Sequence, residues 1–149
     1  MKRFASILFI AAAAISTSAQ FAQPNEVPAY NAAPPSKGQK LPAIMSGPKL
    51  AMFPQPVQAK SYQVAARNAA VLHQLPCYCY CDRNHGHNSL HSCFESEHGG
   101  NCGVCMAEAF YADEQVKKGK TAKQIRAEII KGGYKSVDLA KYNAVANPR

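Results

Sequence analysis

The chain has 149 residues, 47% hydrophobic and 17% charged, with 17 lysines and arginines against 9 aspartates and glutamates and a formal net charge of +8. A chain this short buries only a small core, so crosslinks or a bound metal would add materially to its stability. The basic excess does not describe a nucleic-acid reader: no groove-reading motif accompanies it, and it is concentrated in residues 117–149, with nine basic and two acidic side chains, whereas residues 77–116 hold one basic and six acidic.

Met1, Lys2 and Arg3 form a short basic region, Phe4 to Ile15 an uncharged apolar run, and Thr17, Ser18 and Ala19 a small-residue cleavage site. That order predicts a secretory signal peptide over 1–19, not a membrane span, and places the mature chain in a periplasm or outside the cell with no transmembrane segment. No cysteine lies near the cleavage site to carry a lipid anchor. Residues 20–60 contain eight of the ten prolines. Proline fixes φ and removes a donor, so this stretch is predicted to be a disordered or extended arm, with Leu41, Ile44, Met45, Leu50, Met52 and Phe53 lying along the folded part.

The remainder, 61–149, is expected to be a cysteine-rich, mainly α, small helical domain of about four short helices organised around a cysteine- and histidine-rich turn. Ser61 can cap a first helix over Tyr62–Leu75, where Val64, Val71, Leu72 and Leu75 recur at helical spacing and Pro76 ends the run. Cys77, Cys79 and Cys81 then alternate with Tyr78 and Tyr80, which in a strand puts three sulfurs on one face and two covering rings on the other. Ser89 can cap a helix covering Leu90 to His98, which stops at Gly99 and Gly100. Asn101 can cap the next, from Cys102 to about Lys118, with Cys102 and Cys105 one turn apart at its positive end, where thiol pKa values fall. Thr121 and Gln124 signal a reciprocal cap for a helix carrying Ile125, Ile129 and Ile130, with Gly132 and Gly133 at its end. Ser136 can start a last short helix with Val137, Leu139, Tyr142 and Val145.

Every cysteine and every histidine falls within residues 73–105. Disulfides or inert buried thiols need no neighbouring imidazoles, so five histidines among six cysteines point to a metal. A disulfide between residues two apart is badly constrained, whereas three alternating sulfurs can converge on one ion or bridge two. The candidate ligands are Cys77, Cys79, Cys81, Cys93, His98, Cys102 and Cys105; His87 and His91 are assigned to orienting or shielding those ligands. His73 is read as an ordinary half-buried histidine, with a role as ligand or behind a ligand as the alternative, and Glu108, a turn beyond Cys105, as solvated, with a supporting contact to the ligands as the alternative.

Pro76 through Cys81, then Gly86, His87, Ser89, Leu90, Cys93 and Phe94, then His98, Cys102, Cys105, Glu108 and Ala109, resemble the bacterial exported proteins named for their Pro-Cys-Tyr-Cys-Gly-Cys motif. The resemblance runs on weakly through Gly119 and Lys120 to Ile125 and Arg126, covering about residues 61–135 and not the proline-rich arm. Tyr80 stands where that motif has glycine. The resemblance implies a cysteine-centred metal or redox site and supplies no substrate.

Thiolates with imidazoles suit copper as Cu(I), with zinc as the alternative, most simply on Cys77 or Cys79, Cys81, Cys102 and Cys105; an iron-sulfur cluster would have thiolates enough but none of the usual spacings. A thiolate-saturated ion leaves little room for a substrate, so the chain reads as holding or passing copper to a donor or acceptor protein of the envelope and not as an enzyme. Two alternatives stand beside this: a thiol-disulfide oxidoreductase using Cys102 and Cys105, and a metal-free disulfide-stabilised interaction domain. The basic tail reads as a solvated face or a peripheral contact with an anionic envelope surface.

Overall fold

A computed structural model describes residues 26–143. The signal-peptide reading of 1–19 lies outside them, as does Val145. The described chain is mainly α-helical, with 3-10 turns between the helices and no β-strand among the described residues. None of its helices is long and apolar enough to cross a membrane.

Residues 26–55 run without regular structure except for a 3-10 turn, Gly47–Met52. They are fastened to the helices by hydrogen bonds: the Asn31 side chain donates to the His73 carbonyl at 3.0 Å and the Met45 amide to the Phe94 carbonyl at 2.9 Å. The Ala29 amide donates to Asp82 at 3.0 Å. Helix α1 is Pro56–Arg67, starting five residues before the expected Ser61. The reason is local: Pro56 occupies the first helical position, where a missing N–H costs nothing, and the Gln58 side chain accepts the Gln55 amide at 3.0 Å. Ser61 is instead buried inside the helix, its hydroxyl donating to the Gln58 carbonyl. The single predicted helix to Leu75 is broken at Asn68, and α2 is the short Ala69–Leu72.

The five-residue α3, Cys81–His85, lies in a stretch where no helix was expected, and 3-10 turns over Leu90–Phe94 and Glu97–Asn101 replace the helix expected over Leu90 to His98. Helix α4, Gly103–Lys117, is the axis of the domain, packed against α1, the Glu97–Asn101 turn, α5 and the Gly133–Ser136 turn. Ten of its residues are buried, from Cys105 through Asp113 and again Gln115. A helix covered on nearly all sides shows no clean amphipathic stripe, which is why its sequence is apolar around the whole circumference. Its N-cap is Cys102, not Asn101, which closes the preceding turn. Helix α5, Ala122–Ile130, starts at the expected Thr121–Gln124 box, with Ile125 and Ile129 buried and Ile130 exposed. The last turn, Leu139–Tyr142, is capped by Asp138 and not Ser136, and lays Tyr142 flat on Phe110 with ring centroids 3.7 Å apart.

Candidate metal centre

Four separate elements deliver sulfur to one place. The Pro76–Tyr80 segment is a turn and not a strand: the Tyr80 amide donates to the Cys77 carbonyl at 3.0 Å, and Tyr80 takes the left-handed conformation, φ 58 and ψ 34. The turn folds Cys77 and Cys79 inward and starts α3 at Cys81. Cys93 comes from the Leu90–Phe94 turn, His98 from the Glu97–Asn101 turn, and Cys102 and Cys105 from the start of α4.

The sulfurs of Cys77, Cys79, Cys81, Cys93 and Cys105 lie within 4.8 Å of one another. Within this set Cys77 is 3.3 Å from both Cys79 and Cys105, and Cys79 is 3.5 Å from Cys105. A second group joins Cys79 and Cys105 to His98 and Cys102, and a third is Cys81, His87, Cys93 and His98. Each of the seven expected ligands falls in at least one of these three groups, and no single group holds them all. His87, expected to act through other ligands, presents its own Nδ1 at 3.3 Å from the Cys93 sulfur. His91 belongs to none of the three groups; it is buried, with Nδ1 2.9 Å from Glu95. His73 is held by Asn31, away from the sulfurs.

Cys79 and Cys81 are joined by a disulfide, against the expectation for residues two apart. That expectation rested on the particular distance and torsion a bridge requires. The left-handed residue between them brings their Cα atoms to 5.6 Å, inside the usual disulfide range. The other four cysteines are free thiols.

Burial and mutual hydrogen bonding divide these thiols. A hydrogen bond with Cys105 draws the Cys102 thiol down to about 6 against the opposing effect of burial, helped by the Cys105 and Val104 backbone amides and by His98. Cys93 is drawn down by its contacts with Cys105 and Cys77, again against burial. Cys105 moves upward, because its bonds to Cys102, Cys77 and Cys93 need its proton and because it is buried, so the helix start lowers only one of its two thiols. In Cys77 the bond with Cys105 lowers the pKa but is outweighed by the bond with Cys93 and by burial.

Glu108 is 0% exposed, not solvated. Burial and the neighbouring Cys77 raise its pKa well above the carboxylate range, the Tyr78 amide opposing. Its Oε1 accepts that amide at 2.9 Å and fixes the cysteine turn to α4; Oε2 is buried with no hydrogen-bond partner among the described residues. The signal available in sequence was its place on an all-round apolar helix, one turn from Cys105. Tyr78 and Tyr80 are half-buried, their rings meeting edge-on at 5.9 Å, and Tyr134 stacks on Tyr78 at 6.0 Å.

On its other side the cluster meets solvent. An open cleft of about 850 Å³ is lined by Met45, Lys49, His85, His87, Glu97 and His98, among others. His85 is exposed, with its ring centroid 4.8 Å from that of His98 and 5.7 Å from that of His87.

A small helical domain that gathers six cysteines and two histidines into three overlapping groups belongs to the class of proteins able to coordinate a metal ion through clustered cysteine and histidine. The chain belongs to the family described as protein of unknown function with PCYCGC motif, whose model matches residues 43–141. The match covers about two thirds of the chain and begins inside the proline-rich segment, so the likeness is not confined to 61–135 as expected. No curated protein matches the chain. No solved structure matches it either.

Proposed function

We propose that this chain is an exported soft-metal protein that holds or passes Cu(I) in the cell envelope. The observation that carries the reading is the mutual approach of five sulfurs within 4.8 Å. Cys77, Cys79 and Cys105 would form the thiolate core, with Cys102 beside them; soft thiolates favour Cu(I), and zinc is the competing ion. Uptake requires the Cys79–Cys81 bond to be open. A dithiol reductant supplies two electrons and two protons, leaves two thiols on the chain, and is itself oxidised to a disulfide. The incoming ion then displaces thiol protons. His87 and His98 line the open cleft, so a donor or acceptor protein docking there would meet the imidazole side of the cluster.

Anaerobic titration of the reduced protein with Cu(I) against a calibrated chelator tests this. At least one equivalent is expected to bind, with affinity falling by about tenfold or more in Cys105→Ser. Absence of uptake, or equal affinity and stoichiometry in the variant, would overturn the copper reading.

A second reading is favoured by the half-buried Cys102 at the start of α4, whose sulfur is hydrogen-bonded to Cys105. Cys102 would attack a substrate disulfide and Cys105 would resolve the mixed disulfide, the chain's two thiols becoming a disulfide as the substrate's becomes two thiols. Disulfide reductase turnover by metal-free protein, abolished in Cys102→Ser, would establish that reading in place of the first. Neither uptake nor turnover would leave a disulfide-stabilised interaction domain.

A further inference from the structure

We infer that the cluster contains two chemically unlike metal loci, and that Cys81, His87, Cys93 and His98 form a separate site for a borderline divalent cation such as Zn(II). This rests on the metal-binding reading of the same cluster, but not on copper being the ion held by the sulfurs alone.

The donor groups overlap, since Cys81 and Cys93 also lie within 4.8 Å of the other three sulfurs and His98 Nε2 is 3.9 Å from Cys79, but the shortest contacts fall into two sets. Cys77, Cys79 and Cys105 approach one another at 3.3 to 3.5 Å, and Cys102 joins the last two of them. What remains is two thiols and two imidazoles, and their ligand atoms also lie within 4.8 Å of one another. The Cys81 sulfur is 3.5 Å from Cys93 and 3.2 Å from Nε2 of His98, and His87 Nδ1 is 3.3 Å from Cys93. Ligands at metal distances of 2.0–2.3 Å in a tetrahedron stand roughly 3.3–3.8 Å apart, so these three edges already have about the length that a tetrahedral ion imposes.

Charge separates the two loci. Two thiolates and two neutral imidazoles around a divalent ion sum to zero, which suits a site whose two cysteines are buried at 2% and 0% exposure, where uncompensated charge is costly. The all-sulfur set carries a larger negative charge and no nitrogen, and selects a softer ion. Access differs too: His87 and His98 line the open cleft, with His85 exposed beside them, while Cys77 and Cys105 are buried beneath. The Cys79–Cys81 disulfide takes one donor from each locus, so the same reduction completes both.

The test uses the full chain, reduced with a phosphine and kept anaerobic. After one equivalent of Cu(I), Co(II) serves as the probe, since a tetrahedral ion with thiolate ligands shows intense visible d–d bands and thiolate charge transfer. One further equivalent of Co(II) is expected to bind with those bands. His87→Gln should weaken Co(II) by about tenfold or more and leave Cu(I) affinity unchanged, while Cys105→Ser should do the reverse. X-ray absorption of the wild-type protein loaded with Zn(II) gives a readout independent of any variant, and two nitrogen and two sulfur neighbours are expected. A shell of four sulfurs, or Co(II) bands of wild-type strength and affinity in His87→Gln, would overturn the assignment. Failure of Cu(I) to bind while the mixed shell forms would remove the copper reading and leave this locus standing.

Discussion

Tyr80 sits at φ 58, the one non-glycine residue with positive φ among the described residues, and the geometry of the sulfur cluster depends on it. An L-residue there costs about 1–2 kcal/mol relative to right-handed backbone, and the glycine of the family motif would adopt the same angles freely. The ring offsets part of that cost: it meets Tyr78 edge-on at 5.9 Å and the Arg83 guanidinium lies 4.2 Å above it. Tyr80→Gly exchanges strain relief for lost ring contacts and should leave unfolding free energy within about 1 kcal/mol of wild type. Tyr80→Val loses the contacts, keeps the strain and adds β-branching, so it should cost about 2 kcal/mol. Urea denaturation of the three proteins checks the order; equal stability of the glycine and valine variants would show that the left-handed turn is not what the position demands. Cys77, Cys79 and Cys81 announced themselves by spacing, yet their conformation did not. Alternation alone reads as a strand, and only the conformation of the residue between Cys79 and Cys81 decides otherwise.

At the scale of elements, α1 and α4 are clamped where α1 breaks. Asp113 on α4 accepts from Arg67 at 2.8 and 2.7 Å and from the Asn68 side chain at 2.8 Å, and pairs with Lys117 at 2.7 Å. Burial alone would raise its pKa, but these partners outweigh burial and hold its carboxyl well below the ordinary range. A carboxyl whose folded pKa is depressed adds stability that is complete above its unfolded pKa of about 3.9 and is lost as pH falls through the folded value. Acid unfolding should therefore show a loss between about pH 4 and pH 2 that is missing in Asp113→Asn, and that variant should be less stable at pH 7 by about 1–3 kcal/mol. Chemical denaturation at stepped pH measures both, and a parallel pH dependence in wild type and variant would refute the assignment. The α5 box was readable because Thr121 and Gln124 act locally. The stretch from Leu90 to His98 was not. Residues five apart on an α-helix point about 140° apart, so a continuous helix could not aim both Cys93 and His98 at Cys81; the break at Glu95 and Ser96 lets them converge. The long-range requirement overrode the local pattern.

At the scale of the molecule, charge and chemistry occupy different parts of the chain. Residues 77–116 carry six acidic side chains against one basic, and 117–149 nine basic against two acidic, so the charge is divided along the sequence between the cysteine-bearing segment and the stretch that follows it. The cluster also draws its donors from several different elements. Cys77 to Cys81 lie on a turn and a single short helix, Cys93 and His98 on 3-10 turns, and only Cys102 and Cys105 belong to the long α4. An ion bound across them connects the 73–101 region to the core helix in the folded state and has no preformed counterpart in the unfolded one. Its binding free energy is therefore added to folding. Ligand at about a hundred times its dissociation constant contributes about 2.7 kcal/mol, which in a domain of this size raises Tm by about 10 °C. Reduced protein should show that rise on adding Cu(I) or Zn(II) and lose it on adding a chelator. With the Cys79–Cys81 disulfide closed the rise should shrink, because each donor set then lacks one thiolate. Calorimetry of the reduced and oxidised forms at two metal concentrations decides the matter: a Tm that ignores saturating metal in the reduced form would mean that the sulfurs meet for packing or redox reasons and not to hold an ion.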